Sequence, residues 1–454
     1  MERKISDMLE CYTARGLAPW HMPGHKRKAV LGGFWDDLFE RDVTEVPGTD
    51  DYHHPEGAIL ESQQQAAEVY GVAYSHYLVG GSTAGILAGV LALAELWRES
   101  AEQKEELPVF LVAGNVHRSV WNALRLAGAA GVVLKPETDP YYGPILPETV
   151  ESVLEELREG NRRIAGCVIT SPTYGGTISC LKEIHDILKK EGIPLFVDEA
   201  HGAHLCFCDA LREHSAVTAG AELVVQSLHK TMPALTQTGI LHVNGDASDE
   251  RTERFNRVLK EKLAVVQSSS PSYLLLSSAE QAVAWGDEHR ADFGPYLERL
   301  AVFRNRLREN LQVMELADFA PIQDPTRVFL RAPGGTAEWL ERETGVVVEL
   351  AGSREMILIS TIMDEEDDLE HLYEALIRAD AWLKEAQMSA VSAALDRSAA
   401  PQTAVTLGET APEDIYVYPP GVLILKKGDR VTEEARRKIE EERAAGRKVY
   451  GVLP

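Results

Sequence analysis

The strongest constraint on the fold is an alternation of short apolar runs with helical stretches between about residues 76 and 245. The apolar runs have the length and β-branched content of strands, and they lie at 109–113, 131–134, 164–170, 194–198, 223–226 and 239–243. Segments with helical periodicity separate them, as at 120–126, 146–158 and 181–191. This alternation is typical of βαβ units. Because the runs are apolar almost throughout, we predict an α/β fold with a large, mostly parallel sheet that is covered on both faces.

The rest of the chain divides around this sheet. Long helical patterns at about 249–264 and 273–314 precede short strands at 328–331, 346–349 and 356–360 and a helix at about 365–384, which indicates a second, smaller α/β unit. Residues 386–412 are rich in Ala, Ser and Thr, a composition typical of a linker. We predict an N-terminal segment (1–55), a large domain (56–290), a small α/β domain (291–385) and a linker with a C-terminal element (386–454).

Charge and apolar content exclude several classes of protein. The 454 residues carry a formal net charge of −25. Nucleic acids and anionic membranes bind clustered Lys and Arg, so neither is expected as a partner. The first residues lack the apolar core of a signal peptide, and the longest apolar stretch, 84–94, is too short to span a bilayer. The 5 cysteines form no regular disulfide framework. We therefore expect a soluble, cytoplasmic protein.

An acid ends one of the apolar runs, in Pro194-Leu-Phe-Val-Asp198. Ligands of open α/β sheets bind outside the carboxyl ends of the strands, so Asp198 is expected beside a ligand. A carboxylate in such a buried place is costly unless a cation pairs with it. A pyridinium nitrogen or a metal ion would serve. Capping of the following helix is an equally good explanation of this segment alone.

A lysine follows a second run, in Ser227-Leu-His-Lys230. An amine at the end of a buried strand is poorly placed for a solvated surface charge. Desolvation would lower its pKa and make it nucleophilic, as Schiff-base chemistry requires. The four-residue pattern by itself is common by chance.

A glycine-rich turn, Gly80-Gly81-Ser82-Thr83, opens an apolar helix. Glycine lets the backbone approach a ligand closely, and the N–H groups of a first helical turn favour an anion. Simple N-capping by Ser or Thr is the alternative. The turn lacks the lysine and the spacing of nucleotide-binding loops.

These three features together describe a site for pyridoxal phosphate, with the phosphate at the helix N-terminus, the ring nitrogen at Asp198 and the aldehyde at Lys230. Here the chain resembles the Orn/Lys/Arg decarboxylase family, in its short form without an N-terminal wing domain. The matching motifs span nearly the whole chain in family order: Trp20-His-Met-Pro-Gly-His-Lys26, 42–51, 54–57, 80–83, 115–119, Asp198-Glu-Ala-His-Gly202, 227–230, 270–273 and Tyr418-Pro-Pro-Gly421. After the last motif the chain departs from the family pattern, which bears on substrate choice and assembly.

The resemblance implies the type I fold of aspartate aminotransferase, with pyridoxal phosphate in the large domain and the active site at a dimer interface formed in part by residues 1–55. It implies that the phosphate is held by Gly81, Ser82, Thr83, Ser227 and His229. His117 would stack on the pyridine ring opposite Ala200. Asp198 would keep the ring nitrogen protonated, Lys230 would bind the aldehyde, and His201 would lie beside the reacting carbon.

A metal site is the main competing interpretation of the residues after Asp198. His201, His204, Cys206 and Cys208 lie within eight residues. Zinc sites usually take two ligands from each of two separated elements, and the two cysteines fall in an apolar run where they pack as small hydrophobic residues. We therefore expect no metal.

The resemblance implies decarboxylation of arginine, lysine or ornithine, with arginine favoured, to an amine and carbon dioxide in a homodimer or larger homo-oligomer. Two alternatives remain open: another type I enzyme, such as an α-oxoamine synthase or a lyase, and a non-catalytic regulatory relative. The distal cation of a basic substrate needs an acid. Asp50 and Asp51, which follow a Pro-Gly turn, are the first candidates and compete with a simple turn role; Glu45 and Glu349 are weaker choices.

Overall fold

The computed structural model describes residues 1–390 except 17, 19, 30, 31, 101–105 and 161, and residues 408–451 except 412, 419–421, 445 and 446. The N-terminal segment forms helices α1 (Lys4–Ala14) and α2 (Phe34–Arg41), and α3 (Ala58–Tyr70) leads into the first strand. Helix α1 buries Ile5, Leu9 and Tyr12 against the core of the large sheet. None of the described helices combines the length and apolarity needed to cross a membrane.

The large sheet and its helices alternate along the chain as β1 (Tyr74–Leu78), α4 (Gly81–Glu99), β2 (Val109–Ala113), α5 (Arg118–Ala127), β3 (Ala130–Leu134), α6 (Pro147–Glu159), β4 (Ile164–Thr170), α7 (Leu181–Lys190), β5 (Leu195–Asp198), α8 (Ala216–Ala219), β6 (Leu223–Gln226), α9 (Leu228–Thr231) and β7 (Gly239–Val243). Within the described residues these strands form one 7-stranded sheet in the order β1-β7-β6-β5-β4-β2-β3. Strand β7 is antiparallel to both of its neighbours, and the other adjacent pairs are parallel. The predicted α/β fold with a mostly parallel sheet is confirmed.

The six strands predicted in this region are present as β2 to β7. Strand β1 was not predicted from the sequence. Its sequence, Tyr-Ser-His-Tyr-Leu, lacks the apolar continuity of the others, yet Ser75 and His76 are buried. Ser75 Oγ lies 2.9 Å from Nδ1 of His242, and His76 Nε2 lies 2.6 Å from Oδ1 of Asn256. Polar partners far along the chain therefore make this strand possible.

A second, antiparallel sheet follows the helices α10 (Glu250–Val266), α11 (Tyr273–Glu288) and α12 (Phe293–Asn310). Its elements are β8 (Glu315–Leu316), β9 (Arg327–Arg331), α13 (Thr336–Thr344), β10 (Leu350–Ala351), β11 (Glu355–Ile359) and α14 (Glu366–Ala390), with strand order β10-β11-β9-β8. The strand predicted at 346–349 is corrected to β10, and the helix predicted over 273–314 is interrupted by a 3₁₀ turn at Arg290–Asp292.

The C-terminal element consists of β12 (Ile415–Tyr418), β13 (Val422–Leu425), α15 (Glu433–Ala444) and β14 (Lys448–Tyr450). Its strands pair antiparallel in the order β13-β12-β14. Most of the predicted linker and the Pro-Pro-Gly part of the motif at 418–421 lie outside the described residues.

Close packing of α4 on the large sheet fixes the edge at which polar residues gather. At Gly89 a side chain is excluded, because a Cβ atom there would lie 2.5 Å from Cε1 of Phe196 on β5. The N-terminus of α4 lies beside the carboxyl end of β6, where Ser227 contacts Ser82, and ligands of such sheets bind at this edge.

Candidate active site

A cavity of about 760 Å³ opens at the carboxyl ends of β4, β5 and β6. All of the residues predicted to bind the cofactor line it, together with His201: Gly81, Ser82, Thr83, His117, Asp198, Ala200, Ser227, His229 and Lys230. A larger cavity, of about 1090 Å³, lies at the other end of the strands and is lined by Trp97, Arg163 and Glu222 among others. The fold thus brings residues from 81 to 230 to one place, and their individual roles remain predictions.

Lys230 lies in α9, the short helix that follows β6, and its amine points at His201. The Lys230 Nζ atom is 3.0 Å from Nε2 of His201. Burial lowers the pKa of Lys230, against the opposing charge of Asp198 and with a further contribution from Arg327. A larger share of the amine is therefore neutral near pH 7 than in a solvated lysine, which is the form that attacks an aldehyde.

Asp198 is the last residue of β5 and is 3% exposed. Its Oδ1 atom accepts a hydrogen bond from the backbone N–H of Ala200 (3.2 Å). Burial raises the pKa of Asp198, while the charge of Lys230 and this hydrogen bond oppose the shift. A cation placed against this carboxylate would offset its desolvation, as a protonated ring nitrogen does.

The turn at the start of α4 forms a cradle for an anion. Ser227 Oγ donates to Ser82 Oγ (2.9 Å), which joins the end of β6 to the first turn of the helix. Strand β7 passes directly beneath at Gly239, where a Cβ atom would lie 2.9 Å from the carbonyl oxygen of Gln226 and 3.3 Å from the nitrogen of Ser82. His229 completes this side of the cavity, with its Nδ1–H donating to the carbonyl of Thr238 (2.8 Å). Backbone N–H groups and hydroxyls arranged in this way suit a phosphate.

His117 presents a neutral ring to the cavity. It caps α5, where its Nδ1 accepts a hydrogen bond from the backbone N–H of Ser119 (3.3 Å). Burial, with a smaller contribution from Lys230, lowers the pKa of His117 to about 4. A neutral imidazole can lie against an aromatic ring without adding charge to the site.

Two buried polar atoms on the cavity wall test whether pyridoxal phosphate fits. Asn115 Oδ1 and Thr170 Oγ1 are buried and make no hydrogen bond within the described part of the chain. Buried polar groups in native proteins are usually satisfied, so a polar group in the cavity is expected. With the cradle, the strand-end acid and the strand-end amine, these residues fit the cofactor.

The predicted substrate acids lie elsewhere. The carboxylate of Asp50 accepts backbone N–H groups of Glu56, Gly57 and Ile59 at 2.9–3.0 Å and caps α3. That of Asp51 accepts those of His53 and His54, at 2.8 and 3.2 Å. Neither residue lines the cavity of its own chain, and their role in binding substrate stays a prediction.

Glu349 is the acid that joins Asp198 on the cavity wall. It lies at the exposed rim, just before β10, and its Oε1 accepts a hydrogen bond from the hydroxyl of Tyr174 (2.8 Å). Its charge acts on Lys230 and raises the pKa of that amine in opposition to burial.

Sequence reasoning passed over some residues of this region. Thr170 ends β4 and could have been found by the strand-end rule that found Asp198. Arg327 comes from β9, and its guanidinium contacts His201 across 126 residues, a contact that no local pattern signals. Two of the residues that were weighed as metal ligands have partners within the protein: His204 Nε2 lies 3.3 Å from Asp324 Oδ1, and Cys206 Sγ lies 3.0 Å from Ser215 Oγ. The described residues contain no cluster that could hold a metal ion.

Comparison with known proteins identifies a matching family and several similar proteins. Residues 5–336 match the family described as Orn/Lys/Arg decarboxylase, major domain. The protein named Uncharacterized protein YaaO of Bacillus subtilis is 30% identical over 462 residues, which cover 94% of this chain and 92% of that protein. Arginine decarboxylase of Halalkalibacterium halodurans is 29% identical over 471 residues, which cover 95% of this chain and 91% of that protein.

Solved structures give the fold. The lysine decarboxylase LdcF of Francisella novicida superimposes with a TM-score of 0.76 at 17% identity, covering 99% of this chain and 79% of that one. At this identity the likeness concerns the fold alone, and it confirms the predicted type I architecture.

Proposed function

The chain belongs to the Orn/Lys/Arg decarboxylase family, and on that premise we propose that it removes carbon dioxide from arginine and releases the corresponding amine. Membership of the family makes it a basic amino-acid decarboxylase that depends on pyridoxal phosphate. Arginine itself is our proposal, supported by the relative named arginine decarboxylase that matches over almost its whole length. The observation that carries the choice of a basic substrate is Glu349, the second acid on a cavity wall whose buried acid, Asp198, is needed for the cofactor.

The residues that hold the cofactor follow from the cavity. The first turn of α4, with Ser82, Thr83, Ser227 and His229, would hold the phosphate, and His117 and Ala200 would enclose the ring. Pyridoxal phosphate, when bound, supplies an electron sink for the pair left behind as carbon dioxide departs.

The proposed reaction depends on three side chains, those of Asp198, Lys230 and His201. Asp198 would keep a proton on the ring nitrogen by placing a buried negative charge beside it. Lys230, as a neutral amine, would bind the cofactor aldehyde and yield it to the substrate amine. His201 would give its Nε2 proton to Cα. Lys230, which takes up the proton of the substrate amine when it yields the cofactor, would return a proton to Nε2, so that ring and amine both end neutral.

Recognition of the distal cation is proposed for Glu349. Tyr174 fixes one carboxylate oxygen at 2.8 Å, so the orientation of the group is set before substrate arrives. A guanidinium binds a carboxylate through two parallel hydrogen bonds, whereas an ammonium acts as a point charge, so a fixed carboxylate favours arginine.

The N-terminal segment is proposed to lie in a homodimer interface. Trp20 is 95% exposed, Phe34 67% and Trp35 52%. Large aromatic side chains clustered in one exposed segment mark interaction sites on soluble proteins. Light scattering on the active protein tests this: we expect a dimer or a larger assembly, and a fully active monomer would contradict it.

Substrate assays test the proposed reaction. Purified protein with pyridoxal phosphate is incubated separately with arginine, lysine, ornithine, citrulline and leucine, and carbon dioxide and amine are followed. We expect release from basic amino acids, fastest from arginine, with Lys230→Ala as the inactive control. Release from leucine or citrulline alone would overturn the proposal.

A further inference from the structure

A buried cation, Arg327, connects the cavity wall with the antiparallel sheet that contains β9. This first residue of β9 is 0% exposed and the largest of the fully buried side chains described. Its NH1 group donates to Thr326 Oγ1 (3.1 Å), and its NH2 group donates to the carbonyl of His201 (3.2 Å) and to Nδ1 of the same ring (3.0 Å). Nε has no hydrogen-bond partner in the described part of the chain.

The contact with Nδ1 determines where His201 keeps its proton. A guanidinium has only donors, so Nδ1 of His201 must offer its lone pair. In the neutral ring the proton is then on Nε2, which is the atom 3.0 Å from Nζ of Lys230. Burial lowers the pKa of His201 well below its usual range, with further contributions from Lys230 and Arg327, so the neutral ring is the prevailing form.

A second contact holds the ring in place. Tyr174 meets His201 edge to face, with ring centroids 5.2 Å apart and planes at 88°. The imidazole is thus held at Nδ1 by Arg327, at Nε2 by Lys230 and by the edge-to-face contact with Tyr174. Each of its two nitrogens has one partner. Arg327 at Nδ1 can only donate a hydrogen bond, whereas the neutral amine of Lys230 at Nε2 can accept one.

We propose that Arg327 is a positioning residue, which holds His201 in the tautomer that carries the proton on Nε2, beside Lys230. The proposal deepens the proposed function and rests on it for the role of His201 as proton donor to the substrate. Without Arg327, Nδ1 could take the proton, and the ring would then present a lone pair to the reacting carbon.

Binding of the substrate carboxylate is the competing role for Arg327. The guanidinium is fully buried and is not among the groups that line the cavity, and its NH2 group is occupied by His201. These observations favour action through His201, and a test must separate the two roles.

The first test observes the tautomer directly. Protein grown with ¹⁵N-histidine is examined by NMR with and without pyridoxal phosphate, and the His201 signals are identified by their loss in His201→Gln. We expect the Nε2–H tautomer in the unchanged chain and loss of that preference in Arg327→Met. An Nδ1–H ring in the unchanged chain overturns the proposal even if Arg327→Met does not fold, and so does an unaltered tautomer in a folded Arg327→Met.

The second test asks whether Arg327 acts through His201. For the best basic substrate, Arg327→Met should lower kcat about 10-fold when His201 is present and less than about 2-fold in the His201→Gln background. KM should change little in either case. An equal loss in both backgrounds, or a loss confined to KM, would overturn the proposal in favour of carboxylate binding.

Arg304→Met is the matched control. Arg304 is also buried and supports the same strand, because it donates to the carbonyls of Pro325 and Arg327, but it does not contact His201. We expect it to leave the tautomer unchanged; a tautomer change equal to that of Arg327→Met would attribute the effect to loosening of β9 and overturn the proposal. The NMR result needs no substrate, so failure of the chain to decarboxylate any basic amino acid would count against the proposed function alone.

Discussion

Two regions of this molecule carry acids that the sequence offers as candidate ligand-binding groups, and they differ in what their carboxylates contact. In the turn that precedes α3, the carboxylates of Asp50 and Asp51 accept backbone N–H groups of nearby residues. In the cavity, the buried carboxylate of Asp198 accepts a hydrogen bond from one backbone N–H, and that of Glu349 accepts one from the hydroxyl of Tyr174. A carboxylate whose acceptor positions are filled by the backbone stabilises the fold, whereas one that keeps acceptor positions for a ligand can take part in chemistry.

Loss of the amine at the centre of the cavity should have the largest effect. Lys230→Ala removes the group that binds the cofactor aldehyde and yields it to the substrate, so turnover should fall below detection. Amine release from the best basic substrate measures this. A variant that keeps even a tenth of the activity would show that the cavity centre is wrongly assigned.

Removal of the charge at the end of β5 should have the next largest effect. Asp198→Asn keeps the shape of the side chain and removes the charge that would hold the ring nitrogen protonated. We expect kcat to fall about 100-fold, equivalent to about 3 kcal/mol of transition-state stabilisation, with cofactor still bound. Steady-state kinetics at saturating cofactor give the answer, and an unchanged kcat would remove Asp198 from this role.

Neutralising the rim acid compares the two regions directly. Glu349→Gln should lower kcat/KM for arginine about 10-fold, or about 1.4 kcal/mol, while turnover of the neutral analogue citrulline changes little. Asp50→Asn and Asp51→Asn remove the same charge by the same chemistry and should leave the ratio of arginine to citrulline unchanged. If Asp50→Asn or Asp51→Asn lowers this ratio and Glu349→Gln does not, the substrate cation is bound by the turn, as the sequence predicted.

Substitution in the turn should instead lower the free energy of unfolding of the protein. Asp50→Ala leaves the N–H groups of Glu56, Gly57 and Ile59 without their acceptor, at a cost of about 1–2 kcal/mol, as for loss of a helix cap. Urea unfolding measures the free-energy change, with Asp50→Asn, which can still accept, as the milder control. Equal stability of all three proteins would show that this cap contributes little.

The parts of the fold that sequence predicted are those determined by local pattern. Strands such as β2 and β5 are apolar at almost every position because both faces of the sheet are covered, and they were found where predicted. Strand β1 was missed because its Ser75 and His76 are buried by pairing with His242 and Asn256, which no local pattern reveals. Strand β10, with only two residues, has too little pattern to be placed.

The candidate site shows the same division. Residues at strand ends and at the first turn of α4 were named in advance, because sheet topology brings those ends together. Arg327 was not named, and Glu349 was ranked below Asp50 and Asp51, because both depend on how the small sheet meets the large one. The capping role of Asp50 was undecided in sequence, since its partners are backbone groups that any residue type would supply.

Chemical mapping of the cofactor attachment tests the central claim most directly. The purified protein is loaded with pyridoxal phosphate, reduced with borohydride, digested and examined by mass spectrometry. The account predicts the reduced cofactor on Lys230, in the short helix α9 that follows β6, with its amine 3.0 Å from Nε2 of His201. Attachment to another lysine, or to none in a protein that decarboxylates a basic amino acid, would contradict it.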